Sequence, residues 1–140
     1  SIEGDQVLKA RLAKHRPDQE ATWKLIEAPE RLESVLEPES LESYGSLLID
    51  RFTVWISNRV ARSEPTADRG LLDEVQRVAD RLYRSPTPAV IVTTEVGLGF
   101  LPTQVLDRRL VNVVGRANQI LSERAKAATM LMSGIPLRLR

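Results

Sequence analysis

This sequence predicts an α/β fold with a largely parallel sheet, on three observations. Short apolar, β-branched runs, Leu47-Leu48-Ile49 and Ala89-Val90-Ile91-Val92, alternate with longer stretches whose apolar residues recur at helical spacing. Each run closes on polar side chains, Asp50 after the first and Thr93-Thr94-Glu95 after the second. Open α/β sheets present side chains to ligands at that point, beyond the carboxyl ends of their strands. The second run then enters a glycine-punctuated turn, Gly97-Leu98-Gly99 before Pro102, where glycine permits positive φ or close approach to a ligand.

The elements follow in order. Residues 5–15 place Val7, Leu8 and Leu12 near helical spacing among basic residues and stop before Pro17, which predicts a short amphipathic helix. His15 then sits at a helix C-terminus, where the carbonyl ends favour a cation and tend to raise its pKa. Residues 16–20 read as a polar turn, and Trp23-Lys24-Leu25-Ile26-Glu27 as a short strand. A helix starts at Ala28-Pro29-Glu30, with Leu32, Val35 and Leu36 as its apolar face, and ends before Pro38. After Asp50, residues 52–60 read as a helix buried on more than one side, and residues 63–69 as a polar loop prone to disorder or insertion.

Residues 70–83 carry Leu71, Leu72, Val75, Val78, Ala79 and Leu82 on one stripe, a helix packed on a sheet. The run from Ala89 reads as a strand buried on both faces. A long helix follows over residues 103–128, with Leu106, Leu110, Val113, Val114, Ala117, Ile120, Leu121 and Ala125 inward. Gly115 inside it implies close packing or ligand approach, since glycine there costs about 1 kcal/mol relative to alanine. Residues 129–134 form a further strand, and Leu137-Arg138-Leu139-Arg140 alternates like an edge strand.

The 140 residues suffice for one domain with a real core. A net charge of +1 with dispersed basic residues gives no electrostatic argument for nucleic acid or a membrane surface as partner. The absence of cysteine excludes disulfides, zinc-thiolate sites and a thiol nucleophile, and one histidine is too few for histidine-rich metal sites. No apolar run is long enough to span a bilayer and no signal peptide is recognisable, so the expected location is cytoplasmic. Asp50 suits a hard cation or its bound water, and equally the cap of the next helix.

Several motifs run in one order across nearly the whole chain: Arg11-Leu12-x-x-His15, Trp23 and Glu27, Leu48-Ile49-Asp50 with Trp55 and Asn58, and Thr93-x-Glu95-Val96-Gly97-x-Gly99-x-x-Pro102. Arg108, Gly115-Arg116-x-Asn118-Gln119 and Ser133-Gly134-Ile135-Pro136 continue the series. In these the chain resembles the bifunctional adenosylcobinamide kinase and adenosylcobinamide-phosphate guanylyltransferase family of cobalamin biosynthesis. The resemblance implies a three-layer, mostly parallel sheet of the P-loop, recombinase ATPase-like type. It also implies GTP, ATP and magnesium as cofactors, adenosylcobinamide and a guanine nucleotide as partners, and a homo-oligomer, trimers being usual. It implies His15 as the nucleophile on the α-phosphorus of GTP. Ser1, Arg16, Pro17, Asp18, Gln19, Glu27 and Asp50 fall where the family contacts guanine nucleotide. Glu27 or Asp50 would receive hydrogen bonds from the base or ribose, or help hold magnesium. Glu95 and Asn118 match family signatures too, either as site residues or as braces of the loop and helix around it.

The family's opening strand and glycine-rich phosphate loop have no counterpart in these residues. The expectation is a single domain over residues 1–140, incomplete at its N-terminus and without its first strand and phosphate loop, in which the kinase step lacks its phosphate cradle. Other departures bear on catalysis more than fold. An Arg-Pro pair usual in the family is Gln19-Glu20 here, Thr94 replaces an asparagine, Leu110-Val111-Asn112 replaces a Phe-Arg-Asp pattern, and Lys126 stands where an acid is common. The alternative reading is a non-catalytic nucleotide- or corrinoid-binding relative, or a subunit of an active complex.

Overall fold

A computed structural model describes residues 23–28, 32–37, 41, 43–99 and 102–140. Its elements are α1 (Leu32–Val35), β1 (Leu47–Ile49), α2 (Phe52–Ala61), a 3-10 turn (Pro65–Ala67), α3 (Asp68–Arg84), β2 (Ala89–Ile91), α4 (Val105–Arg124), β3 (Thr129–Met132) and β4 (Ile135–Arg138). The architecture is mixed α/β. Strands β1 and β2 pair in parallel with Leu48 beside Val90, while β3 and β4 form a separate antiparallel hairpin.

Helical periodicity decides the core. On α3, Leu71, Val75, Val78 and Ala79 line one stripe, and on α4 Val113, Val114, Ala117, Ile120 and Leu121 line another. These stripes close over Phe52, Trp55, Ile56 and Val60 of α2, with Leu32, Leu36 and Leu41 at one margin. Leu47, Ile49 and Ile91 supply the sheet's contribution. Alternation along each strand turns Leu48, Val90 and Val92 the other way, and all three are exposed. The run from Ala89 is therefore not buried on both faces: among the described residues the helices cover one side of the pair.

Arg109 fastens the helix ends together. Its guanidinium, mostly buried, grips the Asp68 carboxylate at 2.6 Å and donates to the carbonyls of Val60, Ser63 and Glu64 and to Ser63 Oγ. Its planar fork of donors matches that spread of acceptors in a way that an ammonium does not. The expected disordered stretch over residues 63–69 is consequently ordered, and α3 starts at Asp68 rather than Gly70, with Pro65 opening the 3-10 turn. The same helix pair is tied again where Arg124 binds Asp80 at 2.6 Å. Glu74, buried on α3, is satisfied by Arg59 at 2.8 Å.

Other boundaries move for identifiable reasons. Helix α4 ends at Arg124, short of residue 128, because the Ala128 carbonyl accepts from the Leu139 amide at 2.8 Å and draws that segment toward the hairpin strand. Arg140 Nη1 meanwhile caps the carbonyls of Ser122 and Glu123. The hairpin turns on Ser133 (φ 53°) and Gly134 (φ 80°), the two positive values that a tight two-residue turn requires. Residues 23–28 are mostly exposed and join no strand ladder, so the strand expected there is absent; Lys24 lies over the Tyr44 ring at 5.7 Å. Gly115 is not explained by close packing, since a Cβ there would meet nothing within 4 Å.

Three predictions follow from this packing. Gly115→Ala raises stability by about 0.5–1 kcal/mol in urea unfolding, because a helix interior gains alanine's propensity without a clash. Arg109→Lys lowers it by about 1–3 kcal/mol, one ammonium being unable to satisfy the carboxylate and the separate carbonyls. Acid response is set by exposed ion pairs: Arg77 holds Glu33 below its ordinary value of 4.5, and Arg124 holds Asp80 below its ordinary 3.8. A carboxyl whose pKa is lowered by folding stabilises above its unfolded value, and that contribution disappears as pH falls through the folded one. The urea midpoint therefore falls as pH drops below the ordinary carboxylate values, and Glu33→Gln with Asp80→Asn flattens that fall.

Candidate functional site

Both strands of the parallel pair end at the same margin of the sheet. Backbone bonds from Val92 N–H to Ile49 O (2.9 Å) and from Phe52 N–H to Val92 O (3.0 Å) carry the pairing past the strands, so Asp50 lies alongside residues 92 and 93. Asp50 is exposed there. The next residue, Arg51, takes the left-handed conformation (φ 57°, ψ 44°) to turn the chain into α2. A β-carbon makes that conformation unfavourable for most residues, and its presence fits the abrupt reversal between strand end and helix start.

Beside Asp50 the chain after β2 is held by side chains from two helices. Thr53, in the first turn of α2, has its Oγ1 3.1 Å from Thr93 Oγ1 and accepts from the Thr94 amide at 2.9 Å. Asn118, in the middle of α4, accepts the Thr93 hydroxyl at 2.7 Å and donates to the Thr94 carbonyl at 3.0 Å. Glu95 then folds its carboxylate back onto the Gly97 amide at 2.5 Å. Gly97 has no positive φ, and neither does Gly99. A Cβ at 97 would meet Glu95 Oε1 at 2.8 Å, so a side chain there would push the carboxylate off its present place.

The structure thus gathers Asp50, Thr93, Thr94, Glu95 and Asn118 at one strand-end margin. Glu27 is exposed in the irregular segment 23–28. Ser1, His15, Arg16, Pro17, Asp18 and Gln19, and the helix expected over residues 5–15, lie outside the described residues. Sequence reasoning missed Thr53, a lone hydroxyl in a helical first turn that no spacing singles out. A cavity of about 500 Å³ lies elsewhere, where Leu41 precedes β1 and Ser85-Pro86 lead into β2. Two of its arginines are engaged: Arg77 pairs with Glu33, and Arg81 donates to the carbonyls of Glu33 and Leu36. That cavity is the seam fastening α1 to α3, at the end of the sheet away from the polar margin.

Among the described residues no group of three or more histidine, aspartate or glutamate side chains could hold a metal ion. No helix among them is long and apolar enough to cross a membrane.

Fold and margin together define an α/β protein whose polar side chains collect where parallel strands end, the position at which such sheets take ligands. Residues 1–139 match the sequence model of the family described as cobinamide kinase / cobinamide phosphate guanyltransferase, and the chain belongs to that family. It is 31% identical over 137 residues to the bifunctional adenosylcobalamin biosynthesis protein CobP of Pseudomonas aeruginosa, covering 98% of this chain and 77% of that protein. It is 26% identical over 146 residues to the bifunctional adenosylcobalamin biosynthesis protein CobU of Salmonella typhimurium, covering 97% of this chain and 80% of the relative. The Escherichia coli protein of the same name is 24% identical over the same extent.

Proposed function

We propose that this chain serves cobalamin biosynthesis, phosphorylating adenosylcobinamide and transferring GMP from GTP to adenosylcobinamide phosphate through a histidine intermediate. Family membership over residues 1–139 carries the reading, and the gathering of Asp50 with residues 93–97 at a strand-end margin supports it.

In the transfer, a neutral ring nitrogen of His15 attacks the α-phosphorus of GTP. A nitrogen–phosphorus bond forms as the bond to the pyrophosphate oxygen breaks. An oxygen of the cobinamide phosphate then attacks the same phosphorus, the nitrogen–phosphorus bond breaks, and the imidazole leaves with its original electron pair. An imidazole held protonated would have no pair to offer, so the reaction needs that group's pKa kept from rising far.

Arg16, Pro17, Asp18, Gln19 and Ser1 form the nucleotide-contacting set in this reading, with Glu27 and Asp50 meeting the guanine edge, the ribose or magnesium. Magnesium suits the exposed carboxylate of Asp50 together with nucleotide phosphates, since this ion usually takes one or two carboxylates and keeps several waters. Bound there, it would offset charge on the phosphate oxygens. The kinase step takes ATP or GTP as donor and draws on a glycine-rich loop to cradle the phosphates. A P-loop-type sheet, a trimeric or other homo-oligomeric assembly, and action in the cytoplasm belong to the same proposal.

Incubation with magnesium and GTP labelled at the α-phosphate is expected to leave acid-labile label on the protein, and His15→Ala abolishes it. Label that survives in the His15→Ala protein, or none on the unaltered chain, would overturn the histidine route.

A further inference from the structure

The bonds among Thr53, Thr93, Thr94 and Asn118 form a closed ring with one sense. Thr93 has a single hydroxyl proton, and it goes to Asn118 Oδ1, which can only accept (2.7 Å). In the 3.1 Å contact between the two hydroxyls, Thr53 must therefore be the donor. Thr53 Oγ1 in turn accepts from the Thr94 amide, and the Asn118 amide group donates to the Thr94 carbonyl. Both hydroxyl protons and the Thr94 amide proton are committed, and only one of the two flips of the Asn118 amide satisfies both of its bonds. The bonds from the Thr94 amide through the two hydroxyls to the Asn118 carboxamide run head to tail, so they polarise one another.

We infer that this ring is a positioning device for the nucleotide crevice, with Thr53 and Asn118 as positioning residues that aim the strand-end turn over residues 94–97. Thr94 is gripped at its N–H from α2 and at its C=O from α4, which fixes the direction in which Glu95 leaves the strand. The Glu95 carboxylate, already engaged by the Gly97 amide, is thereby set on the same margin as Asp50. The role in the crevice rests on the guanylyltransferase reading; the hold on the turn does not.

The test uses the 140-residue chain with three substitutions. Thr53→Val keeps the shape and removes the hydroxyl, Thr53→Ser restores it, and Asn118→Asp keeps the acceptor for Thr93 while losing the donor to Thr94. Two quantities are read: amide hydrogen exchange without nucleotide, and the dissociation constant for GTP with magnesium by calorimetry. Thr53→Val and Asn118→Asp are expected to speed exchange at residues 94–97 by about tenfold, leave α3 unchanged, and weaken GTP by about tenfold, while Thr53→Ser behaves as the unaltered chain. Unchanged exchange at residues 94–97 overturns the inference, as does faster exchange throughout α3, which would mark a general brace. Faster exchange at the turn with unaltered GTP affinity overturns the crevice role. If the unaltered chain takes no GTP, the guanylyltransferase reading and the crevice role fall together, and the exchange ratios still decide whether the ring holds the turn.

Discussion

One buried guanidinium decides how the helices meet. Arg109 draws the last turn of α2, the 3-10 turn and the first residue of α3 onto α4 through the carbonyls of Val60, Ser63 and Glu64 and the carboxylate of Asp68. These backbone oxygens belong to a helix end and a connecting loop, where Val60 O and Glu64 O each take one backbone amide and keep a lone pair for the guanidinium. A charged fork that satisfies several of them at once converts an otherwise solvated connection into part of the packed structure. The apolar stripes supply most of the stabilisation, but they do not set the register of one helix end against another. Arg109 does.

From that anchor α4 acts as a ruler. Asn118 lies nine residues beyond Arg109, about 13.5 Å along the helix axis, and Arg124 pins the far end to Asp80. Between them, Val113, Val114, Ala117 and Ile120 press on the shared core. Fixing both ends of a rigid rod against its neighbours fixes the position of everything on it. Asn118 is therefore delivered to residues 93 and 94 by contacts made elsewhere on its own helix. Thr53 arrives in a similar way, because Phe52 and Ile56 on either side of it are buried. The polar margin inherits its geometry from the packing beneath it.

How much of this could be read in the sequence follows from the range of the forces involved. The stripes at Leu71, Val75, Val78 and Ala79 and at Val113, Val114, Ala117 and Ile120 were legible, since helical burial repeats within a few residues. So were the two runs that became parallel strands and the placement of Asp50 at a strand end. The order of residues 63–69 was not legible, because the group imposing it lies more than forty residues away. Nor was the exposure of Val90 and Val92, because burial of a strand face depends on which layers cover it and not on the strand's own residues. Glycine at 97 and 115 stood out in sequence, but two of the causes read there do not hold: Gly97 has no positive φ, and Gly115 is not closely packed. Of the site, the motif over residues 93–99 and Asn118 stood out in sequence, whereas Thr53 has no local pattern to announce a partner forty residues distant.

The chemistry of the ring also matters. Its members are two hydroxyls, a carboxamide and backbone groups, none of which gains or loses a proton near neutrality. A turn braced instead by a histidine or a carboxylate pair would shift its geometry with the pH that also decides whether an imidazole is a nucleophile. In the proposed transfer, pH then acts through the attacking ring itself and leaves the turn's backbone in place. Neutral donors also add no charge beside the exposed carboxylates of Asp50 and Glu95. A structural brace built from uncharged groups, set beside those carboxylates, lets position and charge be specified independently.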